Sequence, residues 1–198
     1  MISSENKSWW LQNRAGYTLI CLAAVTIAYI NSFWGTFQLD DYNAIVFNPA
    51  VQSWPAFARE YFHGIRPLLK LTYLANWLGP AGTFGFHVVN LGVHLINTLL
   101  VFHLTVIFLR NFEEDTPGQA RYPIAFLTAL LFGLHPIQTE AITYITGRSA
   151  ALMTLFYLGS IAAYGHGSRE GKRIWLFIVS PLLFILGMAT KEAAITLP

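Results

Sequence analysis

Residues 86–109 read FHVVNLGVHLINTLLVFHLTVIFL, a run of apolar residues with no acid, lysine or arginine in it. About 20 such residues span the hydrocarbon core of a bilayer, so the stretch predicts a membrane-crossing helix over 87–109. Its polar members are His87, Asn90, His94 and Asn97. Steps of three, four and three place them in one stripe along a helix. The stripe is expected to face other helices as a hydrogen-bonded packing seam. A metal site on His87 and His94 is disfavoured, because two turns separate them and no nearby Cys or acid completes a ligand set.

Four more apolar runs flank this one, at 17–37, 122–135, 149–164 and 174–189. The fold class expected is an all-α integral membrane protein of about five transmembrane helices, forming one membrane domain over 1–198. Hydrophobic residues make up 55% of the chain and charged residues 11%, where a soluble domain carries about 25% charge. The mean hydropathy is +0.48. A net charge of +2, with no clustering of bases among aromatics, excludes a nucleic-acid partner. The single Cys21 sits inside an apolar run and reads as packing. The first run is too long for the core of a signal peptide, and it reads as a retained span. Trp9, Trp10 and Tyr17 before it, and Phe33, Trp34 and Phe37 after it, fit interfacial aromatic belts.

The segment 38–86 is the longest stretch that does not span. Ser53, Pro55 and Pro67 mark helix starts, which predicts two short interfacial helices at 55–62 and 67–77. The polar loop around Glu113, Glu114 and Asp115, and the basic loop holding Arg169, Lys172 and Arg173, separate the later runs. With residues 1–16 cytoplasmic, the basic loop is cytoplasmic too, which fits the positive-inside tendency. The segment 38–86 is then an extracytoplasmic loop, and the membrane is a bacterial inner membrane or the endoplasmic reticulum.

That alternation gathers Asp40, Asp41, Arg66, Glu140, Arg148, Lys191 and Glu192 at one membrane face. Ionisable groups there are costly, and they mark a candidate site. Asp40-Asp41 offers a general base or a divalent-cation ligand, but the dipeptide alone reads as readily as a solvated turn. Arg66 reads either as a phosphate ligand or as a side chain snorkelling to lipid headgroups. A helix starting at Gln138 puts Glu140 and Tyr144 on one face. Glu140 and Arg148 are too far apart for a local ion pair, so each is expected to meet a partner from another segment.

Five stretches in order, LDDYNAIVFNPAV (39–51), FHGIRPLLKLTYLANW (62–77), FHVVNLGVHLINTLLV (86–101), LHPIQTEAITYITGRSA (134–150) and KEAAITLP (191–198), carry a resemblance. The chain resembles the N-terminal membrane region of the transmembrane and tetratricopeptide-repeat O-mannosyltransferases and their bacterial relatives, which are GT-C class glycosyltransferases. The resemblance implies transfer of a sugar from a polyprenyl- or dolichyl-phosphate donor to a protein hydroxyl on the extracytoplasmic side. It makes Asp40 and Asp41 the catalytic acidic motif, with Asp40 preferred as the base. Arg66, Arg148 and Lys191 become binders of the donor phosphate, and His63, His135, Glu140 and Glu192 become supporting groups. Members of that family are longer and carry tetratricopeptide repeats, and this sequence stops at Pro198 in an apolar segment. A truncated GT-C-like scaffold is therefore expected. The competing expectation is a non-catalytic membrane subunit that works with partner subunits. A small transporter fits less well, because its charges belong near the midplane.

Overall fold

The computed structural model describes residues 4–61, 63–110 and 120–196, with side chains from Arg14 onward. All regular elements among them are helical. Helix α1 (Ser4–Tyr29) runs into a 3₁₀ turn at Ile30–Trp34. Two short helices follow, α2 (Trp54–Glu60) and α3 (Pro67–Trp77). The long α4 (Gly82–Arg110) leads to α5 (Arg121–Leu134) and the short α6 (Gln138–Thr143). Helix α7 (Arg148–Glu170), a π-helical turn at Trp175–Val179, α8 (Ser180–Met188) and a 3₁₀ turn at Glu192–Thr196 complete the order.

Local chemistry sets these boundaries. Pro67 occupies the first turn of α3, where its missing N–H costs nothing. Ser53 precedes α2 in an extended conformation as expected, although its hydroxyl makes no capping bond. Pro136 disfavours helix at His135, which is extended (φ −63°, ψ 131°), and α5 therefore stops at Leu134. Gly171 adopts a left-handed conformation (φ 64°) and closes α7 by donating its N–H to the Gly167 carbonyl.

Helix α4 is the central post, packed against α1, α5 and α7. His87, Asn90, His94 and Asn97 are all buried. His94 Nε2 lies 3.0 Å from the Gly133 carbonyl of α5. Asn97 donates to the Ala151 carbonyl of α7 at 2.8 Å. Asn90 donates to the Tyr144 carbonyl at 3.1 Å and to the Ile145 carbonyl at 3.3 Å. Asn90, His94 and Asn97 thus form a packing seam that satisfies carbonyls of three other segments, and His87, buried beside Gly35, is outside that bonding. Close approach is needed at Gly133, where a Cβ would stand 2.6 Å from Val25 Cγ2.

Among the described residues two helices are long and apolar enough to cross a membrane, Arg14–Trp34 and Gly82–Arg110. The expectation of about five spans is met only to that extent. Arg121–Leu134 and Trp175–Met188 are apolar but shorter. Fourteen residues of α-helix rise about 21 Å, against a hydrocarbon core of about 30 Å. Helix α7 has 23 residues, but its C-terminal turns carry His166, Ser168, Arg169 and Glu170. Large apolar side chains such as Ile27, Leu131 and Phe177 stand exposed on the outside of the bundle, a surface better suited to lipid than to water. The acidic loop at 113–115, the side chains of Trp9 and Trp10, and Pro198 lie outside the described residues.

Candidate functional site

The chain between α1 and α2 makes a tight corner. Leu39 has a positive φ of 41°, and Arg66, just ahead of α3, has φ 56°. These are the non-glycine residues with positive φ among those described, and each such conformation is strained for a branched or long side chain. One precedes Asp40 and the other carries a candidate cation. Strain of this kind persists only where surrounding contacts enforce it.

The contacts are visible at Asp41. It is fully buried, and its Oδ1 accepts the Thr146 N–H at 2.9 Å while Oδ2 accepts the Gln38 N–H at 3.0 Å. The carboxylate staples the corner to the 3₁₀ turn Ile145–Gly147 that precedes α7. Asp40 next to it is exposed, and its backbone N–H donates to the Tyr144 hydroxyl at 2.8 Å. The adjacent acids therefore separate into a buried staple and an exposed carboxylate.

A cavity of about 650 Å³ opens over this corner, and its lining includes Asp40, Arg66, Tyr73, Glu140, Tyr144 and Lys191. Two acids and two bases from four separate segments meet there. Glu140 comes from α6, whose start at Gln138 matches the expectation. Tyr144 lies beyond the end of α6 in an extended conformation (φ −89°, ψ 125°), so it reaches the cavity from the turn. Gly147 makes that turn possible, because a Cβ there would fall 2.3 Å from the Glu140 carbonyl oxygen. A Gly147→Ala substitution is expected to cost about 2 kcal/mol by overpacking. Thermal unfolding in detergent checks it, and an unchanged Tm would refute the tight-turn account.

Arg66 donates Nε to Glu192 Oε1 at 3.1 Å and Nη2 to Oε2 at 2.8 Å, a two-pronged pair. This bond with Arg66 holds the Glu192 carboxyl down at about 2, and the same bond raises the Arg66 pKa. The pair is largely open to solvent, so its contribution to stability is small. Because the folded pKa of Glu192 is depressed, the pairing is present above the ordinary value of 4.5 and is lost as pH falls towards 2. A Glu192→Gln variant is expected to lose acid sensitivity in that window, which unfolding measured from pH 5 to pH 2 would reveal.

Of the expected site residues, Asp41, Arg148, His63, His135 and Glu192 are not in the cavity lining. Arg148 does not line the cavity and is fully buried. Its Nε donates to Asn90 Oδ1 at 2.7 Å, its Nη1 to the Thr72 carbonyl at 3.2 Å, and its Nη2 to the Phe86 carbonyl at 2.9 Å. The Tyr73 and Phe86 rings cover the guanidinium at 5.0 and 5.3 Å. It joins α3, α4 and α7 beneath the cavity, and its full burial keeps the guanidinium away from a ligand phosphate. His135 is exposed, and its Nδ1 accepts the Ile137 N–H at 3.2 Å, which makes it a local cap of the break before α6. His63 lines a separate shallow groove with Arg59 and Glu60. Glu192 acts through Arg66 and is not itself in the cavity lining.

Divalent-cation ligation by Asp40 and Asp41 together does not suit this geometry, because both Asp41 oxygens are taken by backbone N–H groups. Among the described residues no group of three His, Cys, Asp or Glu converges. Sequence reasoning passed over Tyr73, Thr146 and Lys70 as members or neighbours of the site. Lys70 pairs with Glu60. Tyr144 alone carried a signal, its spacing of four from Glu140.

The chain is 31% identical over 193 residues to a protein O-mannosyl-transferase of Caenorhabditis elegans, a match covering 89% of this chain and 27% of that protein. It is 31% identical over 207 residues to the human protein O-mannosyl-transferase TMTC1, with 92% and 22% covered. Against the human protein O-mannosyl-transferase TMTC4 the identity is 29% over 205 residues, with 90% and 27% covered. The chain spans about a quarter of the length of these curated relatives. No protein-family model and no solved structure matches it. Along about nine-tenths of its length, the chain is a homologue of the protein O-mannosyl-transferases.

Proposed function

We propose that this chain forms the donor- and acceptor-binding face of a multi-pass GT-C class glycosyltransferase. It transfers mannose from a polyprenyl- or dolichyl-phosphate donor to a protein hydroxyl on the extracytoplasmic side of the membrane. The observation that carries this reading is the convergence of Asp40, Glu140, Arg66 and Lys191 on one cavity. The naming of the homologues as protein O-mannosyl-transferases supports the sugar and the acceptor.

Asp40 carries the exposed carboxylate and takes the proton from the acceptor hydroxyl. The hydroxyl oxygen forms a bond to the anomeric carbon as the bond from that carbon to the phosphate oxygen breaks. The lipid phosphate leaves with the electron pair, and Arg66 and Lys191 neutralise the growing charge. Glu192 orients Arg66, and Glu140 supplies an acceptor for sugar hydroxyls or a partner for Lys191. Asp41 holds the corner and touches no ligand. In the membrane, α1 and α4 cross fully with the N-terminus cytoplasmic, and α5, α7 and α8 pack around them.

The test is mannose transfer by the purified chain in liposomes, from polyprenyl-phosphate mannose to a Ser/Thr-containing acceptor protein. Arg66→Met is expected to raise the donor KM by about 10-fold to 100-fold, the worth of one charge-assisted pair. Copurification of the chain in a stoichiometric complex that transfers no mannose would instead favour a scaffolding subunit.

A further inference from the structure

We infer that Tyr144 is a two-way hydrogen-bond post in this cavity, which fixes Asp40 with its oxygen and binds a ligand oxygen with its proton. The inference rests on the functional reading only for the identity of the ligand. A phenol carries one O–H donor together with acceptor capacity. The Asp40 N–H occupies the acceptor side at 2.8 Å. The proton must then point away from that N–H. Among the described residues no acceptor receives it, while the ring lines the cavity.

The post itself is rigid. The Tyr144 carbonyl accepts Asn90 Nδ2 at 3.1 Å, and its N–H donates to the Glu140 carbonyl at 3.3 Å. Asn90 in turn is buried and accepts from Arg148 Nε at 2.7 Å. The chain of contacts from Arg148 through Asn90 to Tyr144 thus sets where the phenol oxygen stands. Meanwhile, Asp41 anchors the other side of the corner to Thr146. Asp40 sits between these two attachments, held by its backbone and leaving its carboxylate unencumbered. A donor fixed within the cavity beside that carboxylate suits a sugar hydroxyl or a phosphate oxygen, each an acceptor with a free lone pair.

Tyr144→Phe removes the oxygen and keeps the ring. Two measurements on the full chain in detergent test the inference. Hydrogen exchange over residues 38–46 reads the Asp40 attachment and needs no turnover. It is expected to quicken by about 10-fold, with α4 and α7 unchanged. Affinity for polyprenyl-phosphate mannose, read by thermophoresis, is expected to weaken by about 10-fold. Wild-type exchange would overturn the attachment, and wild-type affinity would overturn the ligand contact. Wild-type protein that binds no donor would sink the functional reading, and the exchange result would then decide the post by itself.

Discussion

Asp40→Asn is expected to lower kcat for mannose transfer by about 100-fold to 10,000-fold, the usual worth of a general base, while leaving Tm unchanged. Asp41→Asn is expected to do the reverse. The difference comes from burial. Asp40 bonds through its backbone N–H, and its carboxylate faces the cavity. Substituting an amide removes the proton acceptor and touches nothing that holds the fold. Asp41 is fully buried and accepts two backbone N–H groups with its two oxygens. An amide keeps one acceptor and turns an NH₂ towards the other donor. The orphaned donor and the lost charge-assisted bond together cost about 2–4 kcal/mol. Parallel measurement of transfer and thermal unfolding checks both. Full activity in Asp40→Asn would eliminate the carboxylate as base. A catalytic defect in Asp41→Asn at unchanged Tm would reverse the assignment of the two acids.

Arg148→Met is expected to damage the fold about as much as Asp41→Asn. The methionine fills much of the volume, and removing a buried charge recovers desolvation energy. Against that, Asn90 Oδ1 and the Phe86 and Thr72 carbonyls lose their donor. Each buried acceptor left unpaired costs about 1–3 kcal/mol, so the loss outweighs the recovery by roughly 3 kcal/mol. A chain of this size should lose about 6–12 °C in Tm. Arg148→Lys keeps the charge but cannot reach three acceptors with one ammonium, and it should fall between. A Tm equal to wild type for Arg148→Met would show that the guanidinium network contributes little.

Arg148 also shows where the sequence stops being legible. An arginine beside a membrane helix reads as a phosphate ligand, because its type and position say nothing about depth. Its role depends on Asn90, Thr72 and Phe86, each about 60 to 80 residues away along the chain, and no spacing rule reaches that far. The helical stripe of α4 was legible because its partners follow from a local period. Helix starts at Pro67 and Gln138 were legible for the same reason. The count of spans was not, because α5 and α8 have apolar composition without the length to cross. For Asp40 and Asp41 the sequence offered a choice, and the backbone amides of Gln38 and Thr146, both bonded to Asp41, explain why the two neighbours differ. Asp40, Arg66, Glu140 and Lys191 do line one cavity, although the alternation of five spans from which that was expected has only two helices of crossing length among the described residues.

The bond between Arg66 and Glu192 joins residues 126 positions apart, and the Asp40–Tyr144 bond joins residues 104 apart. Synthesis runs from the N-terminus, so the acidic corner emerges long before the segments that complete its cavity. Until residue 144 is made, Asp40 has no phenol to hold it. Until residues 191 and 192 are made, Arg66 has no carboxylate and the cavity lacks its second cation. Closing such distant contacts is the slow part of folding. The cavity is therefore completed only once residues 191 and 192 are made, and a nascent chain halted before Lys191 would hold both acids and Arg66 without the second cation.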